Sequence, residues 1–260
     1  MRQFTTFFKK EFLEAWSSFK LLWMPLVFIL LGITDPIMNY FMEDILASVG
    51  NLPEGFEMIF PEFTVGDILL ATTSQFQSIG VIIFVAIFAS AISRERQSGT
   101  ATLLYVRPIS FTSYFMSKWA MASLIGVISV VLGYCSSMYY TYLLYGAADP
   151  MEFVTMVGTY IVWLLFVISF TLAMSAVFVT SVSVAISIIV LPIGLIINSI
   201  IGSFWTYTPW KLGEYGVQIV TGEIVWEYYT GSLILTFLLI IGCIMFGIYM
   251  SKRNAYKTKI

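Results

Sequence analysis

Groups able to carry covalent or acid–base chemistry are scarce in this 260-residue sequence. It has no histidine, so the commonest general base and metal ligand is missing. The two cysteines, Cys135 and Cys243, sit in separate apolar runs without CxxC or zinc-site spacing, and they read as small packing residues. No Gly-x-x-x-x-Gly-Lys-Ser/Thr loop occurs, nor even a Gly-Lys pair, so the chain has no phosphate cradle of that kind. A serine or cysteine nucleophile would lack its usual imidazole partner, which argues against an intramembrane enzyme. No catalytic residue and no metal ligand is expected. Within the long apolar runs Asp35, followed by Pro36, is the main ionisable group and the candidate for a polar contact with substrate or proton.

What remains is one charged turn. Residues 93–110 read Ser-Arg-Glu-Arg-Gln-Ser-Gly-Thr-Ala-Thr-Leu-Leu-Tyr-Val-Arg-Pro-Ile-Ser. Arg94, Glu95 and Arg96 end one apolar run, and Gly99 permits the sharp reversal that a helix C-terminus needs. Thr100 then caps a short helix over 101–106, with Leu103, Leu104 and Val106 on its apolar side. Pro108 stops that helix and Ser110 caps the next. Stop, cap, helix and stop in succession make a stiff lever between two apolar runs, more than a simple basic loop requires.

The elements that must carry this lever follow from composition. The chain is 59% apolar and only 11% charged, with mean hydropathy +0.89. Soluble domains carry about 25% charged residues, so a soluble enzyme is excluded. The net charge of −2 leaves no basic footprint for nucleic acid. A helix crossing a bilayer takes about 20 apolar residues, and runs of that length lie at 19–41, 68–92, 119–145, 154–179, 182–204 and 230–250. The chain therefore reads as an all-α integral membrane protein with six spans in a single domain. Pro25 and Pro192 inside two of the runs predict kinks rather than breaks. The weakest division is Thr180–Ser183, which carries no charge.

Charge placement tests the count. Six spans put twelve basic residues on one side and only Lys211 on the other, whereas twelve of the 15 acids lie on the opposite side or near it. By the positive-inside rule both termini and the 93–118 loop are cytoplasmic. Glu11, Glu14 and Glu95 are the three acids on the basic side. Residues 4–19 predict an amphipathic interfacial helix, with Phe4, Phe7, Phe8, Phe12, Ala15, Trp16 and Phe19 on one arc; Glu11 and Leu13 do not fit the pattern. The acidic, turn-rich stretch 42–67 reads as a solvated outer cap. The aromatic, glycine-broken stretch 205–229 reads either as short helices dipping into the outer interface or as an aromatic belt flanking the last span.

In this setting the loop resembles that of the permease subunits of ABC-2 type transporters, which carry an acid, Gly-Thr, a Leu-Leu pair, Pro-Ile-Ser and a downstream Lys. Glu95, Gly99, Thr100, Leu103, Leu104, Pro108, Ile109, Ser110 and Lys118 are the matching positions. The resemblance implies a coupling helix that docks on a separate cytoplasmic ABC ATPase through Arg94 to Ser110. It also implies a second permease subunit, in a homo- or heterodimer, and short re-entrant helices before the last span. ATP and Mg would be bound by the ATPase, with no cofactor in this chain. The expected function is export of an amphipathic or hydrophobic cargo (drug, peptide or lipid) across a bacterial plasma membrane. The alternative is a non-transporting immunity or sensory subunit that binds an ATPase.

Overall fold

The computed structural model describes residues 2–42, 44–45, 63–99 and 110–257, and every regular element among them is helical. An amphipathic helix, Arg2–Ser17, leads into span one, Lys20–Tyr40. Span two covers Val65–Gln97, span three Phe111–Leu144, span four Pro150–Val177, span five Thr180–Ile201 and span six Trp226–Asn254, where the helix itself runs on to Lys257. All six are long and apolar enough to cross a membrane, as the hydropathy pattern requires. The helices run unbroken through Pro25, Pro36 and Pro192. The break between spans four and five falls at Phe178–Val179, two residues before the expected Thr180–Ser183. Thr180 already belongs to span five, and Ser183 bonds the Ala89 carbonyl of span two at 2.8 Å instead of opening a turn.

Span four is the most enclosed, with span six packed along it and spans two, three and five around it; spans five and six leave most of their surface open. Polar side chains stitch the centre together, as interhelical hydroxyls do where no water competes. Thr72 and Thr73 of span two meet Ser137 and Tyr134 of span three at 2.9 Å each, and Trp119 donates to Ser169 of span four at 2.8 Å. Span two contains a π-helical turn, Phe76–Gly80, with Phe28 of span one packed on Gly80. Such turns interrupt the regular ladder and recur at functional places; nothing in the hydropathy pattern marks this one. Cys135 faces outward instead of packing, and Cys243 is half-buried; both are free thiols.

The bundle has a basic end and an acidic end. At the acidic end, side chains cap the helices that start there: Thr64 and Asp67 form a reciprocal capping box on span two, and Asp149 accepts from Met151 and Glu152 backbone N–H groups on span four. A carboxylate is favoured there by the positive end of the helix dipole. Asp35 lies near this end of span one, half-buried, where the Gln75 carboxamide oriented toward its acceptors donates to Asp35 Oδ2 at 3.2 Å and to the Leu31 carbonyl at 2.7 Å. Most of the acidic stretch 42–67 lies outside the described residues.

The aromatic stretch after span five folds back into the bundle. Trp210 packs on Gly194 of span five and donates its indole N–H to the Leu191 carbonyl at 2.9 Å. A short helix, Leu212–Thr221, then climbs beside span two, with Gly213 against Gln77 at its start and Thr221 against Gly66 at its end. Those contacts on span two are eleven residues apart, about 17 Å of helix. The described part of 205–229 thus packs against spans two and five as short helices.

Spans one and three cross at two glycines. A Cβ on Gly32 would fall on the Gly133 carbonyl oxygen, which is backbone and cannot swing aside. Gly32→Ala should therefore separate the two spans and cost about 1–3 kcal/mol. A lower midpoint of thermal unfolding in detergent would register this, whereas an unchanged midpoint would contradict so close a crossing.

Candidate functional site

Three carboxylates and two lysines converge at the basic end. Lys118, about two turns into span three, is 3% exposed, and its ammonium lies 2.8 Å from Glu11 Oε1 and 3.1 Å from Glu95 Oε1. Lys10 pairs closely with the same Glu95 oxygen and also lies 3.2 Å from Glu11 and 3.8 Å from Glu14. Tyr114 donates its hydroxyl to Glu95 Oε2 at 2.6 Å, and the Lys118 ammonium sits 5.5 Å from the centre of that ring. The three glutamates, the only acids that the charge count places on this side, bring carboxylate oxygens within 4.8 Å of one another. Like charges hold that spacing only with cations among them, and the two ammoniums are those cations.

The sequence explains how each group arrives. Arg2–Ser17 turns its apolar arc partly to the bundle, with Ala15 buried and Phe7 edge-on to Tyr114 at 5.9 Å. Phe12 and Trp16 of the same arc stack at 6.4 Å and stay exposed. Glu11, which does not fit the amphipathic pattern, is the residue that reaches the buried lysine. The helix ends at Ser17, and Phe19, with a φ of 55°, makes a sharp elbow into span one. Glu95 comes from the last turns of span two, and Tyr114 and Lys118 lie on the first turns of span three.

Both ends of the predicted lever are anchored near this cluster. Gly99 takes φ 75°, the left-handed value that a reversal there demands. Ser110 caps span three by accepting from the Ser113 N–H at 3.3 Å, and its own N–H donates to Gln3 Oε1 at 2.8 Å. The amphipathic helix thus holds span two through Lys10–Glu95 and the start of span three through Gln3–Ser110 and Glu11–Lys118. Thr100, Leu103, Leu104 and Pro108, with the expected helix 101–106, lie outside the described residues.

Arg96 points the other way. Its guanidinium donates to the Ala176 carbonyl at 2.6 Å and to the Phe178 carbonyl, satisfying acceptors left open at the end of span four. Asn254 of span six reaches the same Ala176 carbonyl at 2.8 Å. Ser175 accepts from the N–H groups of Ile92 and Ser93 at 3.1 Å each, and Gln97 accepts from Thr180 at 2.6 Å. Arg94 is exposed and makes no ion pair among the described residues. Asp35 lies at the opposite end and takes no part. Lys10, Glu11, Glu14 and Tyr114 are the members that the motif missed; the misfit of Glu11 in its helix was the signal available.

Burial pushes the Lys10 ammonium down, but Glu11 and Glu95 outweigh it and hold the group above its ordinary value of 10.5. A raised lysine contributes stability that is complete below the ordinary value and lost as pH rises through the folded one. Protease resistance of the amphipathic helix should accordingly be flat across neutral pH and fall only in strong alkali. Lys118→Met leaves two buried carboxylates short of a cation and should cost about 3–5 kcal/mol. Adding Glu11→Gln to it should cost less than the two changes summed. Thermal unfolding in detergent measures all three chains; full additivity would mean that Lys118 and Glu11 are uncoupled.

Comparison with known proteins agrees with this architecture. Residues 5–212 match the family described as ABC-2 family transporter protein, a stretch that contains the whole charge cluster. The chain is also 33% identical over 178 residues to the "uncharacterized transmembrane protein YxlG" of Bacillus subtilis strain 168, covering 68% of this chain and 69% of that protein. A six-span helical membrane protein matched over most of its length in this way is a member of the ABC-2 transporter family.

Proposed function

We propose that the chain is the permease subunit of an ATP-driven exporter of amphipathic or hydrophobic molecules, with its basic end in the cytoplasm of a bacterial cell. Permeases of this family generally work with an ABC ATPase. The observation that carries the reading is the yoke at the basic end. One helix grips both ends of the 100–109 segment, through Glu95 on one side and Ser110 and Lys118 on the other. A partner pressing on that segment would therefore move spans two and three and the amphipathic helix together. Arg96 and Ser175 would carry the same displacement to the junction of spans four and five.

A route for cargo is supported at the other end. A cavity of about 780 Å³ lies between spans two and five and the stretch that follows span five, lined by Ser74, Gln77 and Ser78 on one side and Asn198 and Ser199 on the other. The Asn198 carboxamide oxygen is buried there without a hydrogen-bond partner. The π turn supplies Gln77 and Ser78, and Trp210 closes one wall. Leu70, Leu195 and Ile200 add apolar lining to these polar groups, and Lys211 and Glu214 add charge, a mixed surface that suits an amphipathic cargo. Spans one and five, with much of their surface open, would face a second permease subunit.

The test is reconstitution in vesicles with the partner ATPase and a fluorescent amphipathic drug as probe. The chain alone should neither hydrolyse ATP nor pump; pumping by this chain alone would overturn the reading. Gly99→Pro, which cannot hold φ 75°, and Arg94→Glu should each cut transport per ATP by at least about fivefold. Arg96 is left intact because it also closes span four. Normal coupling in both variants would refute the lever, and ATPase binding without efflux of any probe would favour a sensory or immunity subunit.

A further inference from the structure

A second cavity, of about 580 Å³, opens beside the charge cluster and is not needed for it. Its head is polar: Lys20 at the elbow after Phe19, Arg94 at the end of span two, and the cluster residues Lys10, Glu11, Glu14, Glu95 and Lys118. Four cations face three carboxylates, and the pairings within the cluster are unequal. Glu11 and Glu95 are matched by Lys10 and Lys118, and Glu14 keeps a looser contact with Lys10 at 3.8 Å. Lys20 and Arg94 are in no ion pair among the described residues, although both turn to the same space. Two uncommitted cations at one cavity mouth are a place for an anion.

Below the head the lining becomes mostly apolar. Ala86, Ile87 and Ala91 of span two face Met121, Ala122 and Ile125 of span three. From Lys118 to Ile125 is seven residues of helix, about 10 Å into the membrane, and the Arg94 to Ala86 side is about 12 Å. Ala86 is exposed, so the groove opens sideways along the bundle surface. A soluble phosphate would use only the head of such a cavity. A phosphate carrying an acyl chain fills both parts, because the chain gains contact with the groove while its charge stays at the level of Lys20 and Arg94.

We infer that this cavity binds one phospholipid from the leaflet at the basic end, an anionic one of the phosphatidylglycerol type. Its phosphate lies between Lys20 and Arg94, and the first part of an acyl chain lies on Ala86, Ala91 and Ala122. Lipid seated there wedges against the elbow of the amphipathic helix and against span two, the two elements that Lys10 and Glu95 join. The site is independent of what the protein transports.

The test needs no partner and no cargo. The full chain, immobilised in mild detergent, is equilibrated with micelles holding equal parts of phosphatidylglycerol and phosphatidylcholine, and the retained lipid is quantified by mass spectrometry. Phosphatidylglycerol should be enriched over the micelle ratio, and Lys20→Gln with Arg94→Gln should weaken its retention by roughly thirtyfold, about fivefold for each lost charge. Lys20→Arg should retain it. Ala86→Trp, at an exposed position where bulk does not threaten the fold, should block the groove and also release lipid. Excess glycerol phosphate should not compete. Retention at the micelle ratio, or retention indifferent to both charge removals, would overturn the site. Displacement by glycerol phosphate together with indifference to Ala86→Trp would mean a head-only anion site and would overturn the lipid assignment.

Discussion

A lysine ammonium that is 3% exposed in a membrane protein holds its position only because carboxylates come to it. Lys118 takes one from its own bundle, Glu95, and one from a helix outside it, Glu11. That requirement fixes where Arg2–Ser17 lies. It sets the amphipathic helix across the foot of spans two and three, with Phe7 against Tyr114 and Phe12 and Trp16 left toward lipid. The elbow at Phe19, with its unfavourable φ of 55°, is tolerated because the helix on one side and span one on the other are both held.

The rest of the basic end is built on the same logic of satisfying groups that have no water. Span four ends with open carbonyls, and Arg96 and Asn254 fill them from two different spans. Span two's last turns find Ser175 and Thr180. Among the described residues, spans three, four and five are thus tied to residues 93–97, and span six joins them through the Ala176 carbonyl that Asn254 shares with Arg96. Toward the acidic end, the stretch after span five brings Trp210 and the helix Leu212–Thr221 against the bundle. Under the proposed function, this tied foot and the polar cavity between spans two and five would convert a push at one end into an opening at the other.

The six spans were legible because hydropathy is local: a run of apolar residues needs no partner to declare itself in lipid. The span ends were not, since helices continue past the apolar window wherever a cap or an ion pair supports them. Span two runs to Gln97 because Arg96 and Glu95 find partners, and span three begins at Phe111 because Ser110 caps it. Gly99 could be read from its type alone, as only glycine takes a left-handed turn freely. The cluster could not, because Glu11, Glu95 and Lys118 are brought together by helix packing, at separations of more than twenty residues. The π turn at Phe76–Gly80 also depends on a neighbour, Phe28 pressing on Gly80, and leaves no trace in composition.

The central claim, that the amphipathic helix and the end of span two move as one body, is most directly tested by a distance measurement. Spin labels at exposed Lys9 and Ser98, in a chain lacking Cys135 and Cys243, would be followed by pulsed electron resonance in vesicles with the partner ATPase. With and without trapped ATP, the account predicts one narrow and unchanged distance distribution between the two labels. A second population, or a shift on trapping ATP, would show that the helix detaches from span two and would contradict it.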